Sequence, residues 1–285
     1  MERVALVTGA SSGIGAATAL ALARNGYRTF AGVRGSDGGS KVPAALRVDA
    51  EGGNEAEDLP ITIIPGMDVD SEEAIASAVS EAASYNQRLD VLVNNAGYGQ
   101  FGCAEDVPLP EFRRQFETNF FSIVRIIQEA APIMRRQGSG DIVNISSVVG
   151  RMGLPGSPAY ISSKFALEGL TECLRYELGQ FGIRTTLIEP GVVKTGFFDS
   201  MRIPGSCSDP KYRVLTDHML AGIKMMVEMG TPPSQVADAV IGAINDEEML
   251  PRYVVGADAE MFMKAKREKS DIEFERYMSE ELFPK

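Results

Sequence analysis

The chain has 285 residues, of which 44% are hydrophobic and 24% charged, a composition typical of a globular protein with a substantial core. Its formal net charge of −11 argues against a nucleic-acid partner or an anionic membrane surface. No apolar run approaches the roughly 18 residues of a membrane span, and a strand pattern from the third residue leaves no room for a signal peptide. Three cysteines without metal-ligand spacing indicate a cytoplasmic protein with no metal site.

Short apolar strand patterns alternate with longer helical patterns along the chain. "VALVTG" precedes "GIGAATALALARNG", and "RTFAGVR", "ITIIPGMDV", "LDVLVNNAG", "GDIVNISS" and "IRTTLIEPG" follow in order, most of them separated by helical segments. Nearly continuous apolar strands between helices predict a parallel sheet covered on both faces, with right-handed crossovers. We therefore expect an α/β fold: a doubly wound parallel sheet (Rossmann fold) in a single domain over residues 1–257.

Three segments interrupt or follow this alternation. Residues 35–60 are rich in glycine and acidic residues, and they predict a short helix with a mobile loop. Residues 196–231 insert extra helical sequence before the last strand–helix unit. The charged tail, residues 258–285, predicts a surface helix.

A glycine loop follows the first strand and opens the first helix in "VTGASSGIGAAT". Its glycines Gly9, Gly13 and Gly15 are spaced G-x-x-x-G-x-G, and they let backbone N–H groups approach a pyrophosphate at the helix N-terminus. A tight strand-to-helix turn would account for the glycines equally well. As a nucleotide loop, the segment predicts cofactor contacts from Gly9, Ser11, Ser12, Gly13, Ile14 and Gly15.

The ends of the next strands carry further candidate cofactor residues. After the second strand stands Arg34 instead of an acid, which favours the 2′-phosphate of NADP(H) over the free ribose of NAD(H). Asp68, followed by Val69, could accept from an adenine amino group or simply form a turn. The small residues and amide of "NNAG" (Asn95, Ala96 and Gly97) could line a cofactor cleft or form a turn.

A serine pair and a Tyr-x-x-x-Lys pair are the candidate catalytic residues. Ser146 and Ser147 follow a core strand at the sheet edge where open α/β sheets bind ligands. Tyr160 and Lys164 are four residues apart on the next helix and so share one face. Ser147, Tyr160 and Lys164 can therefore converge on one site.

In order and approximate spacing, these motifs resemble the short-chain dehydrogenase/reductase family. The motifs that carry the resemblance are "TGASSGIG", "NNAG", Asn119, Ser147, "YISSK" and "EPGVVKT", within about residues 3–195. "GSGDIVNISSVVGRMGLPG" and "ALEGLTECLRYEL" look most like its hydroxysteroid/retinol dehydrogenase branch.

The resemblance implies hydride transfer between nicotinamide and substrate, with a proton relay through four residues. Tyr160 would exchange the proton, and Lys164 would lower the Tyr160 pKa from its usual value near 10 and bind the nicotinamide ribose. Ser147 would bind the substrate oxygen, and Asn119 would hold a water of the relay. Further cofactor contacts would come from Pro190, Gly191, Val193 and Thr195, beside the nicotinamide carboxamide.

The insert at 196–231 occupies the position of a substrate lid in the family. Its aromatic residues and methionines would suit a flexible lipophilic substrate or, equally well, ordinary packing or a subunit contact. The candidate substrate residues here are Phe197, Phe198, Met201, Met219 and Met226. His218, the only histidine, is expected to lie at the surface. The resemblance also implies a homodimer or homotetramer, paired through the helices at 108–136 and 158–181.

The leading hypothesis is an NADP(H)-dependent oxidoreductase that interconverts a lipophilic secondary alcohol and a ketone or aldehyde. A reductase of 3-oxoacyl thioesters or other small carbonyls is the alternative within the same chemistry. A non-catalytic dinucleotide-binding redox sensor is the alternative from another class, and a lyase or epimerase on the same scaffold is a third.

Overall fold

The computed structural model describes residues 2–35, 59–203 and 207–282. Within them, seven parallel strands form one sheet in the order β3-β2-β1-β4-β5-β6-β7. Each strand matches an apolar run, because a strand between two helical layers buries both of its faces. The strands are β1 Arg3–Val7, β2 Tyr27–Val33, β3 Ile61–Pro65, β4 Val91–Asn94, β5 Gly140–Ile145, β6 Ile183–Pro190 and β7 Arg252–Val255.

Helices cover both faces of the sheet, and alternate residues of β1 show the two cores. Val4 and Leu6 pack with α2 (Glu72–Ser84), while Ala5 and Val7 pack with α1 (Gly13–Arg24). The first core also takes residues from the helical run at 109–137 and from α5 (Pro158–Gly179), and the second takes residues from α7 (Pro233–Asn245). The predicted doubly wound fold is confirmed.

The long helix predicted ahead of β5 is interrupted. It consists of α3 (Leu109–Phe116), a π-helical turn at Glu117–Phe121, and α4 (Ser122–Gln137). A π turn inserts one extra residue into the helical repeat and is frequent at functional sites. Asn119 is buried within this turn.

The insert and the tail are both helical. The insert contains the helix α6 (Pro210–Glu228), and the tail forms two helices, α8 (Ala257–Glu268) and α9 (Asp271–Leu282), instead of one. The tail is more than a surface segment, because Met263, Phe274 and Met278 pack with Val148 and Met152 in a third core cluster. The helix and loop predicted at 35–60 fall largely outside the described residues.

The described helices include none that is both long and apolar enough to cross a lipid bilayer.

Candidate active site

The glycine loop and the "NNAG" turn meet where the sheet order changes direction, between β1 and β4. Thr8, directly after β1, joins them, because its Oγ1 accepts hydrogen bonds from the backbone N–H groups of Asn95 and Ala96, both at 3.0 Å. The Asn95 side-chain amide donates in return to the carbonyls of Thr8 (2.9 Å) and Gly9 (3.1 Å). The amide predicted to line the cleft therefore braces the glycine loop.

The glycines leave room for close backbone approach at this edge. Gly9 has φ +66°, and a Cβ there would lie 2.8 Å from Ala96 Cα. At Gly15, a Cβ would lie 2.4 Å from both Asn95 Nδ2 and the Gly9 carbonyl oxygen. The first turn of α1 contains no acidic residue, and Ser11 and Ser12 before it are exposed, while Ile14 is half-buried. This cradle of backbone and hydroxyl groups fits the pyrophosphate of a dinucleotide.

The candidate residues for the nucleoside end lie after β2 and β3. Val33 ends β2 in the core, and Arg34 follows it at the surface. Asp68 is half-buried three residues beyond β3, and its Oδ1 accepts the backbone N–H of Asp70 at 3.1 Å. Val69 is buried. This geometry shows the turn-forming role of Asp68, and its adenine contact stays a prediction.

Ser147, Tyr160 and Lys164 are brought together at the carboxyl end of β5. The Ser147 hydroxyl donates to the Pro190 carbonyl at 3.3 Å and interacts with the Tyr160 hydroxyl. The buried Lys164 ammonium donates to the Ile145 carbonyl at 2.8 Å, and its Nζ lies 5.8 Å from the Tyr160 ring centroid. The sequence prediction that these three side chains converge thus agrees with the geometry.

The protonation of this group differs from the sequence-based expectation. Burial raises the pKa of Tyr160 to about 12, and the hydrogen bond with Ser147 opposes that rise. Burial also lowers the pKa of Lys164 to about 8, against the attraction of Glu168. The expected lowering of the Tyr160 pKa is therefore wrong for the protein alone, because loss of water destabilises the phenolate more than nearby groups stabilise it.

The Asn119 side chain binds the backbone of Tyr98. Its Nδ2 donates to the Tyr98 carbonyl at 3.0 Å, and its Oδ1 accepts the Tyr98 N–H at 3.1 Å. Gly97 leaves room for this clamp, because a Cβ there would lie 3.1 Å from Asn119 Oδ1. These contacts leave one Nδ2–H donor and one Oδ1 acceptor site of the amide, so the expectation that Asn119 holds a relay water stays a prediction.

The segment from Pro190 to Thr195 lies across the same edge, next to the glycine loop. The Val193 carbonyl accepts the Thr195 N–H at 2.8 Å, and Thr195 Cγ2 would lie 3.1 Å from a Cβ built on Gly13. Asp258, in the tail, holds the segment: its Oδ2 accepts the Val192 N–H at 2.8 Å.

Gly191 makes room for the Asp258 contact, because a Cβ at Gly191 would lie 2.3 Å from both Asp258 carboxylate oxygens. Sequence reasoning assigned no role to the tail and missed Asp258. Its position two residues after Gly256, in the first turn of a helix, is the signal that could have found it.

Of the candidate substrate residues in the insert, Phe197 contacts the catalytic group. The Phe197 ring centroid lies 5.6 Å from that of Tyr160, and Phe197 and Met201 both pack beside Gly99. Phe198 stacks edge-on against Phe197, with ring centroids 5.4 Å apart. Farther along, on α6, Met219 is buried and Met226 is half-buried.

His218 belongs to the surface, as predicted. It is exposed, and its Nε2 lies 2.7 Å from the Leu282 carbonyl oxygen at the end of α9. This contact joins the insert helix to the tail.

Comparison with known proteins identifies the family. Residues 3–203 match the short chain dehydrogenase family, and the chain belongs to it. The "Uncharacterized oxidoreductase YusZ" of Bacillus subtilis is 36% identical over 261 residues, covering 90% of this chain and 89% of YusZ. "Retinol dehydrogenase 8" of Homo sapiens is 35% identical over 253 residues, covering 85% of this chain and 78% of that protein. The protein is thus an NAD(P)-dependent dehydrogenase/reductase.

Solved structures agree with this assignment. A short-chain dehydrogenase from Streptomyces avermitilis matches with a TM-score of 0.79 at 31% identity, covering 100% of this chain and 98% of that one. A family member from Burkholderia phymatum in complex with NAD matches with a TM-score of 0.78 at 26% identity, covering 96% of this chain and 95% of that one. A metagenomic short-chain oxidoreductase in complex with NADP matches with a TM-score of 0.67 at 27% identity, covering 89% of this chain and 96% of that one. A nicotinamide dinucleotide is therefore the cofactor of this fold.

Proposed function

We propose that the protein transfers hydride reversibly between NADP(H) and a lipophilic secondary alcohol or its ketone or aldehyde. The convergence of Ser147, Tyr160 and Lys164 beside the glycine cradle carries this proposal. When bound, the dinucleotide supplies the carbon that gives or takes the hydride. The chain itself must bind the substrate oxygen, exchange one proton with it, and keep water from the reacting carbon.

Tyr160 is the proposed proton donor and acceptor, with Ser147 as the second group on the substrate oxygen. With a pKa raised to about 12, Tyr160 is a neutral phenol at physiological pH, which is the form that gives a proton to a carbonyl oxygen. The Ser147 hydroxyl can turn from the Pro190 carbonyl towards the same substrate oxygen, where it would stabilise developing negative charge. In the oxidative direction the phenol must first ionise, and the Lys164 ammonium would favour that.

Lys164 and the turn around Asn119 are proposed to carry the proton between Tyr160 and solvent. The buried ammonium contacts the Ile145 carbonyl and has two further N–H donors, which suit ribose hydroxyls and a water. The Asn119 amide binds the backbone of Tyr98 and keeps one N–H donor and one acceptor site, with which the π-helical turn would hold a water of the relay.

The preference for NADP(H) over NAD(H) is proposed from the end of β2. Arg34 is exposed directly after the strand, where its guanidinium can bind a phosphate in a bidentate manner. Val33 before it is apolar, so neither residue offers the carboxylate that accepts from a free ribose.

A lipophilic substrate is proposed from the surroundings of Tyr160. Phe197, Phe198 and Met201 form an apolar wall next to its ring. The insert beyond them is proposed to act as a lid that includes Met219 and Met226. Hydrogen exchange tests this: amides of residues 207–228 should become protected only when substrate and cofactor bind together, and no added protection would make the insert a fixed structural element.

A homo-oligomer is proposed from exposed apolar side chains on the helices at 108–136 and 158–181. Phe121 and Phe165 are each 46% exposed, and Tyr176 is 81% exposed. Light scattering after size exclusion should give two or four times the 30.7 kDa chain mass. The three cysteines carry no disulfide, which suits a cytoplasmic location.

A screen of absorbance at 340 nm tests the proposed reaction. NADPH and NADH would each be mixed with long-chain, steroid-like and retinoid-like carbonyls, 3-oxoacyl thioesters and small ketones. We expect NADPH oxidation with members of the lipophilic group. Turnover confined to thioesters or small ketones would replace the proposed substrate class, and turnover with none of the carbonyls or matching alcohols would contradict the proposal.

A further inference from the structure

A buried charged cluster lies behind the catalytic group, between α5, β6 and β7. Glu168, one helical turn after Lys164, accepts the Ser146 hydroxyl at 2.5 Å through Oε1 and the Arg252 Nε at 2.8 Å through Oε2. Its side chain is buried. Burying a carboxylate is costly, so its presence here requires compensating partners.

A second carboxyl lies against the first. Glu189 is 0% exposed, with Oε1 3.0 Å from Arg252 Nε and Oε2 3.7 Å from Arg151 NH1. Burial, and next the proximity of Glu168, raise the pKa of Glu189 to about 7. Glu189 is therefore the carboxyl that burial and its neighbour push towards the neutral form.

The cluster is connected to three contacts of the catalytic group. Ser146, which donates to Glu168, lies between Ile145, whose carbonyl accepts from Lys164, and Ser147. Glu189 directly precedes Pro190, whose carbonyl accepts from Ser147. Gly150 fits closely over this junction, because a Cβ there would lie 2.8 Å from Ser146 Oγ and 3.1 Å from Glu168 Oε1.

From this geometry we propose that Glu168 is a positioning residue: it fixes the Ser146–Ser147 turn and places a buried carboxylate one helical turn from Lys164. The proposal rests on the proposed function only for its effect on turnover. Nothing in the sequence motifs distinguishes Glu168 from a surface helix residue, and its role follows from burial and from its partners.

The sign of the electrostatic effect follows from the charged groups of this cluster. Glu168 and Glu172 lie on α5, Glu189 on β6, Arg252 on β7 and Arg151 after β5, and Tyr160 lies one turn before Lys164. Glu168 raises the pKa of Lys164 against the effect of burial. Its neutralisation should therefore make Lys164 lose its proton at lower pH.

Glu172 provides the matched control. Its Oε1 binds Arg252 at 2.5 Å, as Glu168 binds it at 2.8 Å, but Glu172 is exposed and lies one turn farther from Lys164. Glu168→Gln and Glu172→Gln each remove one carboxylate from Arg252. Only Glu168→Gln removes the partner of Ser146 and the charge next to Lys164.

The test is an NMR titration of the full-length protein with ¹³Cε-labelled lysine, the Lys164 signal being assigned through Lys164→Arg. Glu168→Gln should lower the Lys164 midpoint by on the order of one pH unit. Glu172→Gln should leave the Lys164 midpoint near the wild-type value. Glu168→Asp keeps the charge, so its Lys164 midpoint should be close to that of the wild type. An unchanged midpoint in Glu168→Gln would overturn the proposal, and so would equal shifts in the two glutamine variants.

Two further readouts keep the test decisive. If Glu168→Gln does not fold, Ser146→Ala tests the positioning role instead: it removes the hydroxyl that binds Glu168 and keeps the charge, so kcat should fall while the Lys164 midpoint stays near the wild-type value, and an unchanged kcat would refute the positioning role. With a substrate in hand, the alkaline limb of kcat should move down in Glu168→Gln and stay in place in Glu172→Gln. The titration does not depend on turnover, so failure of the proposed reaction would be seen separately.

Discussion

Thr8→Val tests whether one hydroxyl holds the two halves of the cofactor cradle together. The change keeps the shape of the side chain but removes the acceptor of the Asn95 and Ala96 N–H groups. An N–H that loses its buried partner costs about 1–3 kcal/mol. Because both donors are only partly buried, we take the lower bound twice, which gives about 2 kcal/mol.

The same substitution at Thr18 is the matched control. Thr18 is 0% exposed on α1, and within the described part of the chain its Oγ1 has no hydrogen-bond partner. Thr18→Val therefore removes a buried hydroxyl that forms no bond, and it should be neutral or slightly stabilising.

Calorimetry measures both consequences of Thr8→Val. The melting temperature should fall by roughly 4–8 °C in Thr8→Val and not in Thr18→Val. If displacement of the "NNAG" turn costs dinucleotide binding half of this free energy, about 1 kcal/mol, the dissociation constant for the dinucleotide should rise by roughly fivefold. Equal melting temperatures and equal affinities for the two variants would refute the reasoning.

Three further predictions concern the cofactor cradle and the buried lysine. Arg34→Ala should raise KM for NADPH at least about tenfold more than KM for NADH, since it removes a charge-assisted phosphate contact; equal effects in initial-rate assays would contradict the proposed preference. Gly15→Ala should abolish dinucleotide binding in calorimetry, because a Cβ would lie 2.4 Å from the Gly9 carbonyl oxygen; wild-type affinity would contradict the cradle. Lys164→Met should abolish turnover. Since the folded pKa of Lys164 is lowered from 10.5 to about 8, the unfolded chain binds more protons in this window, so wild-type stability relative to Lys164→Met should rise with pH between these values. Urea titrations at several pH values would show a rise of about 1.4 kcal/mol per pH unit, and a flat difference would contradict the lowered pKa of the buried lysine.

The fold and the convergence of the catalytic group could be predicted because both follow from local patterns. Apolar runs define strands of four to eight residues, and the i,i+4 spacing of Tyr160 and Lys164 places them on one helix face. A serine at the end of the preceding strand must lie at the carboxyl edge of the sheet, near the start of that helix. These relations depend on chain order and helix geometry, which the sequence contains directly.

The supporting contacts could not be predicted because they join distant parts of the chain. Thr8 and Asn95 are 87 residues apart, and Val192 and Asp258 are 66 apart. The π-helical turn also escaped prediction, since its sequence "ETNFF" has ordinary helical periodicity. The contact of the Asn119 side chain with Tyr98, 21 residues away, likewise follows only from the fold. The balance of burial and charge at Tyr160 likewise depends on three-dimensional packing.

Single-turnover hydride transfer in Tyr160→Phe is the most direct test of the central claim. With the most active carbonyl of the screen, the rate of NADPH oxidation should fall by about 10²–10⁴, while the NADPH dissociation constant changes less than about threefold because the ring and Lys164 stay in place. A rate within a few-fold of the wild type, with normal cofactor binding, would show that the phenolic hydroxyl does not supply the proton.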